Sequence, residues 1–164
     1  MVQDAFDSLL IREARLIDLD HVVQLWTVLM GHHRALGDRL YEVEPHAPAT
    51  WRAWARRKMD DADGILLVAE LDGRIVGYTL GAVGQRAPVY VVRTVGMVFD
   101  LSVDPAYRRH GIGQALIRAL IAHFGDRGIK DLQVNFDARN PEATGFWEEM
   151  GFIPLLNEAY LKID

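Results

Sequence analysis

The chain contains no cysteine. That absence removes disulfides, thiolate metal sites and a cysteine nucleophile together. It leaves an intracellular location open, and the expectation is a cytoplasmic protein. Nor is there an excess of positive charge: 18 Lys and Arg stand against 23 Asp and Glu, for a formal charge of -5. A nucleic-acid partner needs a basic face to neutralise phosphates, so none is expected. No apolar run approaches the roughly 20 residues that cross a bilayer. The first seven residues have no basic segment leading into an apolar one, so neither a membrane partner nor a secretory leader is expected. Repeats and low-complexity tracts are also absent from the 164 residues, whose average apolar content suits one domain, 1–164, with a sizeable core.

What is present reads as alternating structural periods. Residues 10–15 suit a first strand, and Asp18 or Asp20 can cap the helix that follows, where Val22, Leu25, Trp26 and Leu29 recur at helical spacing. This pattern fades between Gly31 and Gly37, near His32 and His33. Adjacent helical histidines point about 100° apart and make poor joint ligands, so no metal is expected. Residues 37–48, acidic and aromatic with two prolines, read equally as a substrate-holding loop or a plain connector. The spacing predicts a second helix over 50–59, with Trp51, Trp54 and Ala55 on one side and Arg52, Arg56 and Arg57 largely on the other. From Gly64 the period becomes two. Runs at 65–71 and 75–80 flank Asp72-Gly73, a two-residue hairpin signal, and a further strand-like run at 89–92 leads towards residues 98–103.

Residues 98–114 are the most informative stretch. A strand gives way to an Asp104-Pro105 turn, then to Arg108 and Arg109, then to Gly111 and Gly113 as a helical pattern begins. Pro105 stops the strand, and the two glycines let backbone approach a ligand closely. The unpaired N–H groups of a new helix, beside two arginines, suit a phosphate or pyrophosphate. An ordinary strand-to-helix connection with solvated arginines is the plain alternative. The helix runs over 112–124, and residues 132–137 alternate as a strand. That order calls for a right-handed crossover and parallel pairing beside the strand ending at Val103. Residues 140–150 suit another helix, and 152–155 and 159–163 two short final strands.

Strand, helix, helix, three antiparallel strands, helix, strand, helix, two strands: this order resembles the GNAT superfamily of acetyl-CoA-dependent N-acyltransferases. Two motifs carry the resemblance. Val103-Asp104-Pro105-Ala106-Tyr107-Arg108-Arg109-His110-Gly111-Ile112-Gly113 resembles the family's Arg/Gln-x-x-Gly-x-Gly/Ala pyrophosphate loop. Asn140-Pro141-Glu142-Ala143-Thr144-Gly145-Phe146-Trp147-Glu148-Glu149-Met150-Gly151-Phe152 resembles its Asn-x-x-Ala-x-x-Phe-Tyr-x-x-x-Gly-Phe segment. The resemblance implies an α/β fold with a mixed, mostly antiparallel, seven-stranded central sheet, one parallel splayed strand pair and about four flanking helices. It implies acetyl-CoA as co-substrate, no metal and an amine acceptor, and it leaves a homodimer open. Backbone groups of Leu101 and Val103 would pair with the pantetheine arm. Arg108, Arg109, His110, Gly111, Ile112, Gly113 and Gln114 would surround the pyrophosphate, mainly through N–H groups. Asn140 would hydrogen-bond the arm, while Phe146 and Trp147 would line its channel, with core packing of their helix as the plain reading of both.

The family's chemistry implies direct attack of a neutral amine on the thioester, with no protein nucleophile. The sequence departs from its pattern in two respects, at the acid and at the base. Trp147 stands where a tyrosine often serves as general acid, and Phe99 and Asn135 stand where a glutamate often serves as base. An indole N–H cannot usefully protonate a sulfur. Asp100, beside the missing glutamate, is the expected substitute base, with Glu44, His46 and Asp137 in reserve. The plain reading of Asp100 is a carboxylate that pairs with Arg93 or caps a turn. Asp38, Glu42, Glu44 and Asp100 would border the acceptor side and hint at a cationic amine: a polyamine, a lysine side chain or an aminated small molecule. The competing reading from another class is a binding module that holds an acyl-CoA as sensor or scaffold without transfer. A P-loop or dinucleotide site fails on detail, because residues 108–114 lack the Lys-Ser/Thr ending and the three-glycine spacing.

Overall fold

The alternating stretches after Gly64 become the middle of a sheet, and the helical stretches before and after it cover its two faces. The structure, a computed structural model, describes residues 8–37 and 39–163. Strand β1 (Leu10–Glu13) precedes helices α1 (Leu19–Ala35) and α2 (Ala47–Asp60). Strands β2 (Gly64–Leu71), β3 (Arg74–Gln85) and β4 (Thr94–Val103) follow, then α3 (Ile112–Asp126), β5 (Leu132–Val134) and α4 (Pro141–Glu149). The five strands lie in the order β1-β2-β3-β4-β5, antiparallel except for β4 and β5, which run parallel as the crossover through α3 requires.

Side-chain alternation divides the core in two. Leu66, Val68, Tyr78 and Leu80 face α1 and α2, where they meet Leu19, Val22, Trp26, Trp51 and Ala55. Ile65, Leu67, Ala69, Val76 and Val98 face the other way, onto Ile112, Leu116, Leu120 and Phe124 of α3 and Trp147 of α4. The Phe124 ring lies so close to Gly96 that a Cβ there would come within 2.7 Å of it. β1 is fastened to the start of α1 by Arg12, which donates to Asp18 and Glu70, and by the Arg15 N–H, which also donates to Asp18. Asp18 occupies the N-cap position of α1, yet its carboxylate serves β1 rather than capping the helix.

Four expectations change. The described sheet has five strands, not seven: residues 152–155 and 159–163 form no strand. Their composition is strand-like, but β5 pairs for only three residues before diverging, Pro154 lacks an N–H, and the tail's side chains bury little, Leu156 being 92% exposed. Residues 89–92 are an exposed turn between β3 and β4, because β3 extends to Gln85 and β4 starts at Thr94. β5 stops at Val134, short of the alternation that runs to Asp137. Helix α1 continues through Gly31 to Ala35, where contacts from its last turn hold it: His33 packs against Tyr41, and His32 meets Arg108.

Candidate active site

Strand β4 is the axis of the site. Apart from Phe99 its residues all pair with β3, but with β5 only Gly96, Met97 and Val98 do. Beyond Val98 the two parallel strands separate and leave one edge of β4 without a strand partner. The Asp104 N–H donates to the Val76 C=O at 2.9 Å. Antiparallel alternation then directs the N–H and C=O of Ser102 and Asp100 towards β3, and those of Leu101 and Val103 into the gap. The Val103 C=O already accepts from Arg108 Nε at 3.1 Å, so Leu101 is the residue with both backbone groups turned to the opening.

The register of β3 and β4 slips at this point: Leu80 opposes Asp100 and Gly81 opposes Val98, which leaves Phe99 as an extra residue. A bulge of this kind turns two successive side chains to one face. Phe99 and Asp100 accordingly both face α2. Phe99 meets Trp54 edge-on at 5.3 Å, and Asp100 Oδ2 accepts from Trp51 Nε1 at 3.1 Å. Trp51 is in turn stacked on Trp26 and meets the edge of Tyr78, whose buried hydroxyl has no partner among the described residues. Arg93 is not the partner of Asp100. Burial pushes the Asp100 carboxyl up to about 6, and the Trp51 bond opposes that rise.

The loop after β4 has the backbone geometry of an anion cradle. Asp104 accepts from the Ala106 N–H and shapes the turn through Pro105–Tyr107. Arg109 has φ 63° and Gly111 has φ 79°, two left-handed residues that reverse the chain just before α3. Such a sequence of conformations gathers successive N–H groups into a concavity suited to an anion. The first intrahelical bond of α3 runs from Ala115 N to Gly111 O, so the N–H groups of Ile112, Gly113 and Gln114 precede the ladder and emerge from its positive end. These groups fit a diphosphate. The exposed Arg109 lies beside them, together with His110, whose Nδ1 approaches the Tyr107 carbonyl. Arg108 instead folds back, with Nη2 at 2.7 Å from His32 Nε2, and braces the loop against α1. The Gln114 side chain is tied to Glu149 of α4, so its backbone N–H is what it offers an anion.

The second motif divides its labour. Asn140 Oδ1 accepts from the Glu142 and Ala143 N–H groups and caps α4, leaving only its Nδ2 for another partner. Phe146 stands against Gly113, where an added Cβ would lie 3.3 Å from the ring, and near Leu101. It therefore borders the gap. Trp147 is 6% exposed, packed edge-on between Phe146 and Phe152, and is a core residue.

Of the other candidates, Asp38 lies outside the described residues, and Glu42, Glu44 and His46 are exposed on the connection between α1 and α2. Asp137 is consumed: Arg139 donates to it through its backbone and side chain, and Tyr41 donates its hydroxyl at 2.9 Å. The Arg139 guanidinium, foremost, holds that carboxyl well below the usual range. This latch joins the α1–α2 connection to the β5–α4 loop. Sequence reasoning missed Trp51 and Trp54, since an aromatic stripe on α2 reads as ordinary core, and within residues 37–48 it did not single out Tyr41.

A splayed parallel pair, a loop of anion-binding geometry at the next helix and a bulge facing the opposite layer thus meet along β4. The acetyltransferase (GNAT) family model matches residues 23–152. The chain belongs to the GNAT family. Among GNAT relatives, it is 34% identical over 121 residues to glucosamine 6-phosphate N-acetyltransferase 1 of Oryza sativa subsp. japonica, covering 70% of each chain. It is 32% identical over 98 residues to the mycothiol acetyltransferase of Saccharomonospora viridis, a match covering 59% of this chain and 32% of that protein. The GNAT fold recurs in aminoglycoside N-acetyltransferase AAC(6')-Iy in complex with CoA, with a TM-score of 0.77, 15% identity and coverage of 94% of each chain. Among the described residues no helix is long and apolar enough to cross a membrane, and no group of side chains is arranged to hold a metal.

Proposed function

We propose that the protein transfers the acetyl group of acetyl-CoA to a primary amine, with Asp100 as the base. Acetyl-CoA, when bound, supplies an activated acetyl group on a thioester. The N–H groups of Ile112, Gly113 and Gln114, with Arg109 beside them, would hold its diphosphate, and the backbone of Leu101 would pair with its arm in the gap between β4 and β5. The layer of α1 and α2 is then left for the amine. Asp100 takes one proton from the incoming ammonium, the freed lone pair forms the new C–N bond as the C–S bond breaks, and the nitrogen gives up its second proton to solvent to leave the neutral amide. The thiolate leaves and is protonated by solvent. No acid is required, since a thiol of pKa about 8.5 is a tolerable leaving group near neutrality. The Leu101 N–H, aimed into the gap, is suited to polarise the reacting carbonyl.

The observation that carries this reading is the Phe99–Asp100 bulge, which turns a carboxylate with a pKa near 6 to the face opposite the cradle's helix, at the level where β4 and β5 part. A base poised near the working pH is what proton removal needs. The test is thiol release from acetyl-CoA with a panel of primary amines. The Asp100→Asn variant should lose about 10²-fold or more in kcat/KM at pH 7, and recover part of it at high pH, where the amine is already neutral. Acetyl-CoA binding without thiol release would favour the sensor or scaffold reading instead.

A further inference from the structure

We infer that the acceptor is a primary monoamine with an apolar or aromatic body, not a polyamine or a polyaminated sugar. This rests on the transfer reading above and narrows the acceptor within the same site. The face of β4 that carries Asp100 also carries Phe99, which is 38% exposed although it is a large apolar ring on a central strand. Trp54, half-buried on α2, meets Phe99 edge-on at 5.3 Å, and Trp51 backs Trp54 at 6.4 Å. Together they make an apolar shelf whose inner end is a carboxylate. Only one oxygen of that carboxylate is engaged: Oδ2 accepts from Trp51, and Oδ1 accepts from no described residue. One ammonium group can therefore be held and deprotonated there.

Among the described residues a second ammonium finds no counterpart. Asp137 is already satisfied by Arg139 and Tyr41. Beyond Asp100, the charge over the shelf is positive: the Lys58 ammonium stands 5.7 Å from the Phe99 ring centre, and Asp61 is already paired with it at 4.0 Å. Glu42 and Glu44 are exposed on the α1–α2 connection, with no interaction tying them to the shelf. A polycation laid along Trp54 and Phe99 would thus meet like charge after its first amine. An aliphatic or aryl body there gains burial against two rings, and each group of methylene size in such a contact is worth about tenfold or more in selectivity.

The experiment measures thiol release from acetyl-CoA with 2-phenylethylamine, ethylamine, spermidine and kanamycin. The expected kcat/KM for 2-phenylethylamine exceeds that for ethylamine by at least about tenfold and that for spermidine by a similar factor. Phe99→Ala should depress 2-phenylethylamine more than ethylamine and collapse that ratio, chiefly through KM. Trp54→Leu repeats the test should the first variant fold poorly, and Lys58→Glu should raise spermidine turnover relative to 2-phenylethylamine. Spermidine or kanamycin as the better acceptor, or a ratio insensitive to Phe99 and Trp54, overturns the inference and leaves the transfer reading standing. Release with none of the four amines, from protein that binds acetyl-CoA, overturns both.

Discussion

The Trp51 indole Nε1 donates to Asp100 Oδ2 across 3.1 Å and so links helix α2 to the bulged end of β4. Burial raises the Asp100 pKa and this bond lowers it. Trp51→Phe removes the donor and keeps an aromatic ring beside Trp26. The acid limb of the kcat/KM profile should then move up by about one unit, because a hydrogen bond to a charged group is worth about 1.5 kcal/mol or more. Thiol release measured from pH 5 to 9 reads it. A limb that stays in place would show that another group titrates.

The same carboxylate should weaken the fold. Its folded pKa, near 6, lies above the value of about 3.9 in an unfolded chain, so between those values the unfolded state gives up its proton first. Stability therefore falls as pH rises across this window, by an amount on the order of 2 kcal/mol at pH 7. Asp100→Asn keeps an acceptor for Trp51 without the charge. It should be the more stable protein at pH 7 and no more stable than the parent at pH 4, as read by urea denaturation.

Asp18 has the opposite sign. Its hydrogen bond from Arg12, helped by the Arg15 N–H, holds its pKa down to about 2. The resulting stability is complete above the unfolded value of about 3.9 and is lost as pH falls towards 2. Asp18→Asn should cost on the order of 2 kcal/mol at neutral pH and flatten the acid part of the stability curve. Chemical denaturation between pH 2.5 and 7 measures both effects.

Gly113 sits where the cradle meets the gap. A Cβ there would lie 3.3 Å from the Phe146 ring, and a branched side chain would displace it. Gly113→Val should weaken CoA binding about tenfold or more while shifting Tm by only a few degrees. Calorimetric titration with CoA is the direct measurement, and unaltered affinity would place the diphosphate elsewhere.

Features carried by neighbouring residues were legible in the chain. The Asp72-Gly73 hairpin, the α3 stripe of Ile112, Leu116, Leu120 and Phe124, and the Arg108 to Gly113 loop all follow from short-range pattern, and each appears where it was expected. Asp100 was reached as a candidate by position alone. Its partner was not, because Trp51 is separated from it by 49 residues and looks like any buried aromatic of an amphipathic helix. The tail shows the reverse error: residues 152–155 and 159–163 have strand-like composition, yet composition supplies no partner strand.

The family, the loop from Arg108 to Gly113 and the order of the elements as far as α4 were set by the sequence alone, because turns, caps and periodicity are properties of contiguous residues. The tertiary structure decided the rest. It turned Phe99 and Asp100 together onto the α2 face through a one-residue slip against β3, bound Asp137 to Tyr41 and Arg139, folded Arg108 back onto His32, and sank Trp147 into the core. Each of these depends on groups brought together by packing across the sheet and between loops. The field and exposure that set a carboxylate's role exist only after that packing.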